Sequence, residues 1–467
     1  MSDATQTLDD VMKKIDEQFE QSVERLADLL RLQSVSTDPA HDEQTSECAE
    51  FCAEMLRSIG FEAEAVPTTG HPMVVAEHPG ATPDAPCVLY YGHYDVQPAD
   101  PVELWDHEAF DPVVVDGEHG RKIVARGAVD DKGQVMTFIE AFRAFKEVYG
   151  ALPCRVKVLL EGEEESGSPS LDPFLKANTE RLGADVCVVS DTGMWDIRTP
   201  AITTMLRGMV YVEVTVHGPS SDLHSGMYGG AVVNPINELT RLLALIHDEH
   251  GRVRFPGFYD RVEAVGEEVR NQWRSLGFDE AAFLGAIGLE HGQGEEGYSA
   301  LERTWCRPTC DINGILGGYT GKGAKTVIAS HASAKLSCRL VADQDPASVL
   351  ESIKAFFSQH LHPDCRIEFE SHGCNPAIAV PTDSRWLGAA RAALTDVFDK
   401  EALLIGTGGS IPAVGSIQEF LGIDSLLVGF GLDDDNVHAP NEKFELTCLQ
   451  NGIRSHAAML AAFAARA

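Results

Sequence analysis

The stretch Cys87-Val88-Leu89-Tyr90-Tyr91-Gly92-His93-Tyr94-Asp95 decides how the chain is read. Its first five residues form a short apolar run, the pattern of a strand buried on both faces. Residues two apart on a strand share a face, so His93 and Asp95 are expected to point into one space. A histidine oriented by a nearby carboxylate is a common arrangement beside a bound metal. Alone, such a pair is more often surface decoration or a satisfied hydrogen bond. The rest of the chain gives it weight.

Working outward, helical spacing runs from about residue 10 to 33 and from 44 to 59, stopping at Gly60. Strand-like pieces follow at 61–66 and 73–77, then a helix at 131–148. Two more apolar strands are expected, at 155–160 and 185–190. Helices alternating with apolar strands predict an α/β domain whose mainly parallel sheet is flanked by helices. Near residue 206 the pattern changes. Residues 209–217 alternate polar and apolar, as a strand with one wet face does. A helix at 234–250, a strand at 332–341, a helix at 346–360 and a strand at 366–370 complete a small α+β unit. Between them, 252–305 reads as an insertion of loops and short helices. After residue 384 the α/β pattern returns, with helices at 385–399 and 447–465 and strands at 402–405 and 425–429. The expected division is therefore 1–206 and 384–467 for one discontinuous domain, with 207–383 inserted into it.

The chain has 467 residues and a formal net charge of −35, from 37 basic against 72 acidic residues. Such a surface repels nucleic acid and anionic membranes, which need a basic footprint. No apolar run approaches the ~20 residues that cross a bilayer. The N-terminal residues lack the apolar core of a signal peptide. Eleven cysteines are scattered through apolar segments without a Cys-x-x-Cys pair, which reads as buried thiols in a reducing compartment. A cytoplasmic location is expected, without nucleic-acid or membrane partners.

Four further segments place acids or a histidine where strands end or glycines turn. They are Val129-Asp130-Asp131-Lys132-Gly133, Glu161-Gly162-Glu163-Glu164-Glu165-Ser166-Gly167, Ser190-Asp191, and Asn436-Val437-His438. In open parallel sheets, ligands bind beyond the carboxyl ends of the strands. Acids gathered there repel one another unless a cation or a proton compensates. One of Asp130 and Asp131 has an alternative role as the cap of the following helix. Strand alternation does not say which of three successive glutamates faces the site. Imidazole and carboxylate together suit Zn²⁺, Mn²⁺ or Co²⁺.

These segments, with Gly92-His-Tyr-Asp-Val-Gln-Pro98, Arg126-Gly-Ala-Val-Asp-Asp-Lys-Gly133, Asp222-Leu-His-Ser-Gly-Met-Tyr-Gly-Gly230 and Gly409-Ser-Ile-Pro412, resemble the dinuclear metallopeptidases. That family includes carnosinases, cytosolic nonspecific dipeptidases, glutamate carboxypeptidases and aminoacylases. The resemblance covers nearly the whole chain and lies nearest the carnosinase-like branch. It implies two divalent ions per subunit, Zn²⁺ or Mn²⁺, with Asp130 bridging them. His93 and Asp191 complete one shell; Glu165 and His438 complete the other. Asp95 orients His93, and Glu164 is the general base for a hydroxide between the ions that cleaves dipeptides. The inserted unit becomes a lid and dimerisation domain, whose His224 reaches the partner subunit's site in a homodimer. Arg339 grips the substrate carboxylate, and Thr326 and Ser410 add hydrogen bonds. An N-acyl amino-acid deacylase or desuccinylase of the same family is the alternative. A phosphate-binding loop at 317–326 fails on spacing, because Gly321-Lys322 is followed by glycine.

Overall fold

The computed structural model describes residues 2–409 and 411–465. The chain divides into two compact units: 1–204, 380–404 and 412–467 in the first; 205–379 and 405–411 in the second. The segment 405–411, read from the sequence as part of the C-terminal α/β stretch, groups with the second unit.

Four parallel strands form the centre of the first unit, in the order Arg155–Glu161, Cys87–His93, Val186–Val189 and Ser425–Leu427. Val186–Val189, Cys87–His93 and Ser425–Leu427 are buried along their whole length. That explains their unbroken apolar sequences: a strand covered on both faces has no wet side to alternate with. Outside this centre the pairing turns antiparallel, through Met73–His78 and Glu62–Val66 on one edge and Ala201–Leu206 on the other. The helices Lys132–Tyr149 and Leu446–Ala464 pack on each other, and Ser2–Leu30 packs on both. Gly150 ends the Lys132–Tyr149 helix in the left-handed conformation, with φ 74°, where a side chain is strained. A small antiparallel sheet of Val113–Gly117, Gly120–Val124 and Lys443–Glu445 stands apart.

The second unit is a four-stranded antiparallel sheet ordered Thr309–Gly317, His331–Leu340, Gly208–His217, Arg366–Asn375. Burial alternates strictly along Gly208–His217. Its buried Val210, Val212, Val214 and Val216 share a core with Leu239, Leu242, Ile353 and Phe357 of the helices Pro235–Ala244 and Pro346–His360. Three short helices, Glu267–Ser275, Glu280–Ala286 and Ala300–Trp305, occupy the 252–305 insertion. Arg307 and Arg252 close on the buried Glu295 there. The strand Thr309–Gly317 is an addition to the three expected strands. It is a sheet edge and mostly exposed, so its sequence carries no alternation.

Candidate metal centre

Each donor stands where a strand or turn of the first unit ends. His93 is the last residue of Cys87–His93, beside Glu161 at the end of the neighbouring parallel strand. Asp191 follows Val186–Val189 by two residues. Glu165 lies in a single 3₁₀ turn, Glu164–Ser166, beyond Arg155–Glu161. Asp130 precedes the long Lys132–Tyr149 helix. His438 has a positive φ of 60° in the loop before Lys443–Glu445.

The structure brings these five together as two triads that share one residue. His93, Asp130 and Asp191 form one; Asp130, Glu165 and His438 form the other. Within each triad the donor atoms lie within 4.8 Å of one another. Asp130 Oδ1 is 3.1 Å from His93 Nε2, and its Oδ2 is 2.9 Å from His438 Nε2. His438 Nε2 also lies 3.2 Å from Glu165 Oε2. One carboxylate thus turns one oxygen to each histidine.

Asp95 sits behind His93. The His93 Nδ1 is 3.1 Å from the Asp95 carbonyl oxygen and 3.3 Å from its Oδ1. The Asp95 carboxylate also accepts from Ser36 Oγ at 2.6 Å and from the backbone N–H groups of Glu164 and Glu165. It therefore ties His93 to the glutamate turn. The three glutamates separate by partner. Glu163 spends its carboxylate on the backbone N–H groups of His71 and Ser170, at 3.0 Å each. Glu165 joins His438 and accepts from Gln97 Nε2 at 2.7 Å. Glu164 makes no such commitment through its side chain among the described residues. Asp131 does not cap the helix with its side chain; its Oδ2 accepts from the His93 N–H at 3.0 Å.

Sequence reasoning missed the support of the Asp130 loop. Glu442 is fully buried. It accepts from the backbone N–H groups of Gly127, Val129 and Asp130 and from Arg126 Nη1 at 2.7 Å. Nothing near Glu442 in sequence marks it, since its partners lie more than 300 residues away.

The electrostatics ask for positive charge. Desolvation pushes Asp191 well above the ordinary carboxylate range, and Asp130, Glu164 and Glu165 add to it against His93. Glu164 is raised to about 7, chiefly by burial. Burial disfavours a charged His93, but Asp130 and Asp95 outweigh it and hold the ring protonated. His438 is raised to about 10 by Asp130 and Glu165. Protons on the two imidazoles thus balance the crowded acids. Imidazole nitrogens and carboxylate oxygens in two triads with a common carboxylate fit two divalent ions, which supply the same compensation. A third cluster, Glu213, Glu370 and His372 on the second unit, is half exposed or exposed and has Lys335 Nζ 4.0 Å from Glu213.

The remaining expected residues belong to the second unit. His224 is exposed in a two-residue strand paired with Val327–Ile328. Its Nδ1 accepts from the Gly226 N–H at 3.0 Å, which leaves the neutral ring's proton on Nε2. Thr326 is exposed beside it, its carbonyl accepting from the Ser225 N–H. Arg339 is half-buried on His331–Leu340, opposite Met209. Ser410 lies outside the described residues.

Hydrolysis assisted by metal ions is the chemistry such a donor set serves, and the comparisons give the class as a metallopeptidase. The chain belongs to peptidase family M20/M25/M40, whose sequence pattern matches residues 89–462. It is 30% identical to the Cys-Gly metallodipeptidase DUG1 of Saccharomyces cerevisiae, over 97% of this chain and 98% of that protein. It is also 30% identical to the human Beta-Ala-His dipeptidase, over 93% of this chain and 89% of that one. The solved structure of the yeast di-peptidase Dug1p superposes with a TM-score of 0.80 at 29% identity, covering 98% of both chains. A metallo-carboxypeptidase from Sulfolobus solfataricus gives 0.81 at 30% identity, covering 95% of this chain and 99% of that one.

Proposed function

We propose that this protein hydrolyses the peptide bond of dipeptides, using two divalent ions held by His93, Asp130, Asp191, Glu165 and His438. The observation that carries the reading is Asp130, with one carboxylate oxygen toward each histidine. When bound, the ions, Zn²⁺ or Mn²⁺, acidify a water and polarise the scissile carbonyl. Glu164 takes the proton from the attacking water and returns it to the leaving amine. Burial favours the protonated form of Glu164, and a general base must take up a proton and give it back. Asp95 holds the His93 ring and the glutamate turn in register. The alternative base, Glu163, is engaged with backbone N–H groups.

The second unit is the lid and dimerisation domain in this reading. Its Thr309–Gly317 edge strand exposes Ile315 and Leu316 at 57% and 64%, an apolar edge that a second copy of the chain would cover. In the homodimer the partner subunit's His224 offers its Nε2–H to the developing oxyanion, a contact of the kind worth about 2.7–4 kcal/mol. Arg339 holds the substrate carboxylate in a two-point grip; Thr326 and Ser410 add hydrogen bonds. The eleven cysteines are all free, and among the described residues no helix is long and apolar enough to cross a membrane. Both facts accord with a place in the cytoplasm.

The test compares amine release from Cys-Gly and β-alanyl-histidine with release from N-acetyl and N-succinyl amino acids, using metal-loaded protein. Dipeptides are expected to be cleaved and the acylated amino acids left intact. The reverse pattern would make the protein a deacylase or desuccinylase.

A further inference from the structure

The backbone around Gln97 is tied at both of its neighbours. Val96 forms a parallel bridge with Val35, and its N–H donates to the Ser34 carbonyl at 2.9 Å. The Pro98 carbonyl accepts from Arg126 Nη2 at 3.0 Å, and Arg126 is buried in its ion pair with Glu442. Gln97 thus presents its side chain from a fixed position, two residues beyond Asp95.

Its Nε2 donates to Glu165 Oε2 at 2.7 Å. That oxygen is the one 3.2 Å from His438 Nε2. The Glu165 side chain is only 4% exposed, so its carboxylate depends on donors within the protein. Among the described residues it has two, the Gln97 amide and the His438 ring. An ion held by Glu165 and His438 uses that ring nitrogen as a ligand, and the ring can then no longer donate to Glu165. Gln97 is the donor that remains.

The choice of an amide is informative. A lysine or arginine makes the stronger, charge-assisted bond to a buried carboxylate, but it sets a positive charge against the ion. Glutamine donates and brings no charge. A residue that served only to satisfy Glu165 would have no need of that restraint.

We propose that Gln97 is a positioning residue for Glu165 and sets the affinity of the ion held by Asp130, Glu165 and His438. The inference rests on the reading of two bound ions. The amide fixes one carboxylate oxygen, so the ion meets a preset ligand rather than one free to rotate.

The test strips metal from the full-length protein and restores zinc in competition with a chelating dye of known zinc affinity. Melting temperatures of the metal-free forms are followed alongside. The wild type is expected to take up two ions per subunit. Gln97→Met keeps the length of the side chain without the donor, and is expected to weaken one ion about 10- to 100-fold and leave the other unchanged. Gln97→Lys supplies a donor with a charge. Its metal-free form is expected to melt no lower than the wild type, yet to bind the same ion at least as weakly as Gln97→Met does. In a His438→Ala background, Gln97→Met is expected to leave the remaining ion untouched. Two ions bound equally well by wild type and Gln97→Met would overturn the role of Gln97 alone. So would zinc affinity rescued by lysine, equal weakening of both ions, or a further loss in the His438→Ala background. A wild type that takes up fewer than two ions would sink the dinuclear reading and this proposal with it.

Discussion

Glu164 and Glu163 are neighbours in sequence with opposite fates. Glu163 is consumed by two backbone N–H groups, whereas Glu164 has its charge disfavoured by burial and no donor committed to it. Glu164→Gln is therefore expected to lower kcat about 10²- to 10⁴-fold, with metal content and melting temperature unchanged. Elemental analysis beside steady-state kinetics checks this; near-normal turnover would assign the base elsewhere. The histidines give a second prediction. In the metal-free protein both are raised, His438 to about 10, so at pH 7 each carries a proton that a metal must displace. Loading zinc is expected to release at least the two imidazole protons per subunit, with Asp191 adding to the count because burial favours its protonated form too, and to weaken as pH falls. Calorimetry in buffers of different ionisation enthalpy measures the count.

At the scale of the element, the loop before Lys132–Tyr149 is shaped by one distant carboxylate. Glu442→Ala removes the acceptor for three backbone N–H groups and strands the buried Arg126. The expected cost is about 3–5 kcal/mol in urea denaturation, together with weaker metal binding. Leu446–Ala464 contributes a different effect through His456, which is buried against Tyr90, Phe138 and Phe430. Burial depresses it to about 3, while an unfolded histidine titrates near ~6.5. The folded state keeps it neutral, so its stability contribution is whole above about pH 6.5 and is lost as pH falls toward 3. His456→Leu is expected to flatten the fall in unfolding free energy between pH 6 and 4 by about 1.4 kcal/mol per pH unit. An unchanged slope would refute it.

The same scale shows what the sequence could reveal. Strands buried on both faces announce themselves, as Cys87–His93 and Val186–Val189 do, because nothing dilutes their apolar run. The antiparallel edge strands Glu62–Val66 and Met73–His78 were legible too, but Thr309–Gly317 was not: its Asp311, Asn313 and Gly314 obey no period since so little of it is covered. The five clustered donors were legible because each follows a readable strand or turn. Glu442 and Gln97 were not, because their partners are fixed by tertiary pairing alone.

For the whole molecule, the proposed homodimer makes a prediction no single-chain site would. Mixing Glu164→Gln chains with His224→Ala chains is expected to restore partial activity, since a heterodimer holds one site with both groups intact. Subunit exchange is followed by native mass spectrometry; proven exchange without rescue would confine each site to one chain.

The central sheet has a timetable written into it. Ser425–Leu427 fills the place beside Val186–Val189, yet 236 positions separate Val189 from Ser425. At ribosomal speeds of about 5–20 residues per second, the nascent chain waits roughly 10 to 50 s with that slot open. The last donor, His438, emerges later still. The triad that needs His438 is thus completed only after the slot's own strand has been made, and until then the open sheet edge is free to pair with another chain.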